Sequence, residues 1–388
     1  MRIEKGSVAA ALCVILAALA GACSSDSRGT GSPGAGGMLG GAGAPVVGAG
    51  GASGGASAGA PGAGAPSAGA ANGGAGGVGG GAASAGAGGT DGHPKQRTVG
   101  YLPHYRGSLG NWAAQLDFSL VSYVDVCFAD IAADGTVSYA DPALPAFATA
   151  AHAKGVKVCL ALGGATTIGD LGTLAGNIAP AGRAAFVSKI TSYAVSNGLD
   201  CIDVDFEGNG VNGDYEGFVT ALGTSLHAAN KEMSAAMASW FGDQITVNAI
   251  HAFDFVNVMA YDLHNPGGSA TPLQSSSIVD SKAEIDYFIG RGLAKEKAVL
   301  GVPFYGYRWK PGATVGEAVI YSELLQTYGA DAANDQISKD GVTIYLNSKA
   351  TIQAKAALAR QYGGVMSWEL GQDASGDASL LRALNTAP

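Results

Sequence analysis

Between residues 97 and 368 the chain carries eight short runs rich in Val, Ile, Leu and Tyr: 97–102, 120–128, 156–162, 199–206, 232–238, 255–261, 298–303 and 364–368. Stretches with apolar residues at every third or fourth position separate several of them, at 180–196, 215–229, 279–291 and 349–361, and predict helices. Strands that are apolar on both faces and alternate with helices imply a parallel sheet wrapped in helices. Eight such units predict that the sheet closes, giving an α/β fold of the (β/α)8 TIM-barrel kind. The fifth unit is the shortest, with only residues 239–254 between its strand and the next. In a barrel of this type the functional side chains stand at the C-terminal ends of the strands. Polar or unusual residues do gather where the runs stop: His104-Tyr105, Gly163-Gly164, Asp205 to Glu207, Tyr261-Asp262 and Trp368-Glu369.

Composition sets the boundaries of that domain. Thirty of the 62 glycines precede residue 93, and from 26 to 92 the chain is almost entirely Gly, Ala, Ser and Pro with no aromatic residue. Such a segment cannot bury enough apolar surface to offset its ordering entropy, so 23–94 is expected to be a disordered linker with an r.m.s. span of about 45 Å. One catalytic-sized domain, 95–388, remains, and a barrel of about 250 residues fills it. The charged start (Arg2, Glu4, Lys5) and the apolar run 8–20 predict a signal peptide over 1–22 and hence export. Leu19-Ala20-Gly21-Ala22-Cys23 resembles a bacterial lipoprotein cleavage box, which would lipidate Cys23 and anchor the protein at the cell envelope. Ala20-Gly21-Ala22 also suits ordinary signal peptidase and a freely secreted product.

Once Cys13 and Cys23 are set aside, Cys127, Cys159 and Cys201 remain, an odd number without metal-ligand spacing, and are expected as buried thiols. No metal or cofactor is expected. The net charge of −9 argues against nucleic acid or an anionic membrane surface as partner and favours a neutral substrate, with the protein acting as a monomer.

The most informative stretch is Leu199-Asp200-Cys201-Ile202-Asp203-Val204-Asp205-Phe206-Glu207. On a strand Ile202, Val204 and Phe206 share one face, toward the helices, while Cys201, Asp203, Asp205 and Glu207 share the other. Three carboxyl groups therefore climb the barrel interior toward its mouth. Crowded like charges in a desolvated site keep at least one proton bound near neutral pH, and Glu207, last in line, is the natural donor. As a helix the same residues would share no face, and a calcium loop would require more oxygen ligands than these apolar neighbours provide.

Asp-x-x-Asp-x-Asp-x-Glu at the end of a fourth barrel strand resembles glycoside hydrolase family 18, the chitinase family, with Cys201 where glycine is usual. Ala161-Leu162-Gly163-Gly164 is similar to the family's Ser-x-Gly-Gly, with Ala161 in place of a serine whose hydroxyl supports the deepest aspartate. Met259-Ala260-Tyr261-Asp262 and Gly301-Val302-Pro303-Phe304-Tyr305-Gly306 resemble the sixth- and seventh-strand motifs, and Trp368 stands where the family has its sugar-platform tryptophan.

The resemblance implies a chitinase that hydrolyses β-1,4-linked N-acetylglucosamine by a substrate-assisted, retaining route, in which the substrate's own acetamido oxygen is the nucleophile. Glu207 would be acid and base, Asp205 would hold the amide N–H, Asp203 would tune Asp205, and Tyr261 would donate to the acetamido oxygen. Asp262, Trp368, Met259 and Tyr101 would contact the sugar. Tyr105, Trp112, Trp240 and Trp309 could line subsites or pack locally, and His104 and His264 are expected as surface or supporting residues. An endo-β-N-acetylglucosaminidase acting on N-glycans, a non-catalytic chitin-binding lectin and a peptidoglycan-directed hydrolase are the alternatives. The stretch 307–363 shows one helix-like end and one short strand-like run, 342–346, which looks too small for a groove-deepening α+β insertion and suggests a shallow cleft with endo cleavage.

Overall fold

The computed structural model describes residues 96–167 and 172–386. The expected signal segment 1–22 and the whole of the 23–94 linker, Cys23 included, lie outside them. Eight parallel strands close into a barrel: β1 (Arg97–Pro103), β2 (Tyr123–Cys127), β3 (Lys157–Gly164), β4 (Cys201–Phe206), β5 (Glu232–Met237), β6 (Phe255–Val258), β7 (Ala298–Pro303) and β8 (Gly364–Trp368). Each neighbours the next, and β1 pairs with β8 through Arg97↔Gly364 to Gly100↔Ser367. Every expected strand is present. Several are shorter than their apolar runs, β2 and β6 the most: Phe118–Leu120 winds into a 3-10 turn before β2, and β6 stops at Val258, where Ala260 N–H turns back to the Val258 carbonyl.

The helices follow the periodicity, with Pro180–Ser196, Tyr215–Ala228, Ile278–Gly290 and Lys349–Ala359 starting at Pro180, after Asp214, at the Ser277 cap and at the Ser348 cap. Proline fits the first helical turn because that N–H has no intrahelical partner, and each serine hydroxyl accepts one of the orphaned N–H groups. The short fifth unit is covered by two small helices, Ser239–Gly242 and Val247–His251.

Alternation along the strands separates two apolar layers. Ile202, Val204 and Phe206 face outward, where Phe206 stacks on Phe218 and Phe218 on Phe186, at 5.7 and 5.5 Å between ring centroids. Burying each such ring contributes about 1.5–3 kcal/mol. Val99, Ala161, Phe255, Val299 and Met366 pack inside the barrel. At its N-terminal end Lys157 pairs with Glu232 at 2.6 Å and Arg97 lies over the Phe255 ring at 4.4 Å, closing the floor.

Two expectations are corrected. Cys159 and Cys201 are not thiols: strand register sets them opposite each other on the interior face, Cα atoms 4.5 Å apart, and they form a disulfide. Cys127, on β2 one layer higher, remains a buried free thiol. The stretch between β7 and β8 also holds more than one strand. Tyr305–Trp309, Glu317–Ile320, Gln336–Lys339 and Val342–Tyr345 form a four-stranded antiparallel sheet that carries the helix Tyr321–Tyr328, a compact α+β insertion. Its strands are short and interrupted by turns, so their alternation is too brief to register as a pattern.

Candidate active site

The ends of β4, β6 and β8 surround a cleft of about 840 Å³, onto which Glu207, Asp205, Met259, Tyr261, Asp262 and Trp368 open. Gly163 makes room for the carboxylate strand. With φ +106 it occupies a conformation that suits glycine, and a Cβ there would sit 2.5 Å from the Asp205 carbonyl oxygen. Thr167 then fixes the top of β4: its hydroxyl accepts from the Glu207 N–H at 2.7 Å and donates to the Gly164 carbonyl at 2.8 Å.

Below the mouth, Asp203 is held by donors. Tyr101 Oη donates to its Oδ2 at 2.7 Å, Ser234 Oγ to its Oδ1 at 2.6 Å, and Asn257 Nδ2 reaches Oδ1 at 3.5 Å. Burial raises the Asp203 pKa and these donors draw it back, leaving it at about 6. Asp205 has no such support; its Oδ1 is buried without a partner. Burial and then the charges of Glu207, Asp203 and Asp125 push its pKa well above the carboxylate range. Glu207 is pushed up to about 8 by burial and by Asp262. Asp262, at φ +57, is raised by burial although Tyr305 and Tyr307 donate to its Oδ1 at 2.6 and 2.7 Å. The set therefore holds protons at neutral pH, and the one on Glu207 faces the cleft.

Tyr101 stands apart from the other residues expected to touch sugar. It is buried, donates to Asp203 and packs against Trp368 at 5.4 Å, so it supports the floor instead of lining the cleft. Among the open aromatics only Trp240 lines the cleft, at its rim; Trp112 donates to the Arg106 carbonyl, Trp309 to that of Ser269, and Tyr105 packs beside Arg106. His104 contacts the Cys127 carbonyl, and His264 pairs with Asp280 at the cleft edge, 3.4 Å apart. Glu369, fully buried, takes the Arg106 guanidinium at 2.7 Å and ties β8 to the loop after β1 beside Trp368.

Ser234, Asn257, Thr167 and Asp125 were not singled out from the sequence. Ser234 supplies from β5 the hydroxyl that Ala161 lacks on β3. Asp125 is fully buried, and its only signal was an acid at an inward position of an apolar run; it accepts from Asn257 at 3.3 Å.

The model of glycosyl hydrolases family 18 matches residues 97–373. The chain belongs to this family. Among its family 18 relatives, a class V chitinase of Arabidopsis thaliana is 28% identical over 332 residues, covering 70% of this chain and 85% of that protein. A chitinase-like effector of Moniliophthora roreri is 31% identical over 224 residues, but the match spans 50% of this chain and 54% of that protein. The crystal structure of the GH18 chitinase ChiB from the chitin utilization locus of Flavobacterium johnsoniae superposes with a TM-score of 0.68 at 29% identity, covering 76% of this chain and 94% of that one. The closed eight-stranded barrel is thus the family 18 fold.

Proposed function

We propose that this family 18 protein is an exported chitinase-type glycosidase that hydrolyses β-1,4 N-acetylglucosamine linkages with retention, using Glu207 as acid and base. The observation that carries the reading is a carboxyl group at the cleft surface whose pKa lies near 8, so that it still bears a proton at neutral pH. Glu207 protonates the departing glycosidic oxygen and later takes a proton from the incoming water. Asp205, with one oxygen free beside it, accepts the acetamido N–H and so turns the acetamido oxygen toward the anomeric carbon. Asp203, held by three donors below the mouth, tunes Asp205. An intramolecular nucleophile of this kind can reach effective molarities of ~10⁵ to 10⁸ M, so no second carboxylate nucleophile is required. Tyr261 and Asp262 border the reacting sugar, Trp368 offers an apolar floor, and Trp240 at the rim suits a further sugar face.

The likeness to chitinases in both comparisons supports chitin over N-glycans as substrate. The apolar run 8–20 and the box Leu19-Ala20-Gly21-Ala22-Cys23 support export, with the enzyme lipid-anchored through Cys23 or released. Product analysis on chitohexaose and on a high-mannose glycopeptide, with Glu207→Gln as control, tests the proposal. Chitohexaose cleavage that Glu207→Gln abolishes is the expected result. Cleavage of the glycopeptide alone would make the protein an endo-β-N-acetylglucosaminidase, and binding without cleavage would make it a lectin.

A further inference from the structure

Lys355, in the helix before β8, is completely buried, and its three partners are all uncharged oxygens. Its Nζ donates to the Ser276 carbonyl at 2.6 Å, to Ser276 Oγ at 2.7 Å and to Asn347 Oδ1 at 2.6 Å. An ammonium has three N–H donors, so this cage matches the protonated form. Asn347 closes it from the end of the α+β insertion by donating to the same Ser276 carbonyl at 2.9 Å. Because Ser276 Oγ accepts from Lys355, its own proton points away, and it donates at 2.6 Å to the Ala260 carbonyl, the residue before Tyr261. That carbonyl lies just past the end of β6, and Ser281 reaches it only at 3.5 Å.

We propose that Lys355 is a positioning residue whose ammonium orients the Ser276 hydroxyl onto the Ala260 carbonyl and thereby holds Tyr261 and Asp262 at the cleft. The role rests on the glycosidase reading above. If the lysine loses its proton, Nζ has two donors and a lone pair. The Ser276 hydroxyl then turns its hydrogen to Nζ, and the Ala260 carbonyl is released. The proton itself leaves to solvent, and the chain of hydrogen bonds reverses direction. Burial lowers the Lys355 pKa to about 7, while the charges of Asp335 and Asp280, the titratable groups facing it from the insertion and from the start of the Ile278–Gly290 helix, work against that fall. Asp280 in turn pairs with His264 at the cleft edge.

The test compares full-length wild type with Ser276→Ala and Lys355→Met between pH 5 and 9, reading kcat on chitohexaose and melting temperature. Ser276→Ala should lower kcat about three- to tenfold at pH 6, the equivalent of one hydrogen bond. The ratio should close toward one above pH 8, where the wild-type serine has already turned. Both proteins share the ionisation of Glu207, so it cancels in that ratio. Lys355→Met, if it folds, leaves Ser276 donating to Ala260 at every pH, so its kcat should keep only the alkaline limb near pH 8 that Glu207 imposes and lack the additional fall that begins near pH 7. A wild-type to Ser276→Ala ratio that is constant with pH would mean a merely structural contact and overturn the proposal. Amide hydrogen exchange across residues 259–263, read as the same ratio, should follow the same pH course without turnover. A wild type that cleaves nothing would count against the glycosidase reading, while the exchange ratio would still decide the relay.

Discussion

Replacing Glu207 by Gln should stabilise the protein at neutral pH while abolishing its activity. The Glu207 pKa lies at about 8 in the fold against an ordinary value of 4.5, because its charged form is desolvated and faces Asp262. A carboxyl whose folded pKa is raised contributes stability that is complete below its unfolded pKa and is lost as pH rises through the folded one. At pH 7 the unfolded chain is ionised at this position and the folded one is not. The interval from 4.5 to 7, at about 1.4 kcal/mol per pH unit, amounts to about 3 kcal/mol of stability forgone. Glutamine is isosteric and cannot ionise, so the variant recovers that amount. For a domain of this size the gain corresponds to roughly 5 °C in melting temperature. Thermal unfolding of both proteins from pH 4 to 8 checks it: the two curves should meet near pH 4.5 and diverge steadily to pH 8. A difference that does not change with pH, or a variant less stable at pH 7, would refute the assignment of a desolvated, protonated Glu207. In the same series wild-type kcat should decline with an alkaline limb near pH 8, as the donor loses its proton.

Tyr101→Phe removes one of the two short hydrogen bonds to Asp203 without touching the cleft; steady-state kinetics should show kcat down about three- to tenfold with KM unchanged. Breaking the Cys159–Cys201 disulfide, which spans 42 residues of sequence, by Cys159→Ala with Cys201→Ala should cost about 4 kcal/mol in denaturant unfolding on the chain-entropy account. The untreated protein should show one free thiol in its barrel domain, Cys127, when titrated under denaturing conditions without reductant.

Sequence alone determined the architecture and the carboxylate strand, because both are written in local periodicity. Apolar runs recur at barrel spacing, and alternation along 199–207 assigns Ile202, Val204 and Phe206 to the helices and the acids to the interior. The tertiary structure decided what each acid is doing. Ser234 stands opposite Asp203 only through the β4–β5 register, and nothing near either residue in the chain announces the pairing. The Cys159–Cys201 disulfide likewise follows from register, which an odd cysteine count concealed. Tyr101 resembled a cleft aromatic in sequence, yet strand geometry sends its hydroxyl down to Asp203. Lys355 looks in sequence like one more helix-surface lysine, and only the meeting of its helix with Ser276 and Asn347 buries it. Periodicity reports which face a side chain takes; partners distant in sequence, and the proton affinities they impose, exist only once the barrel has closed.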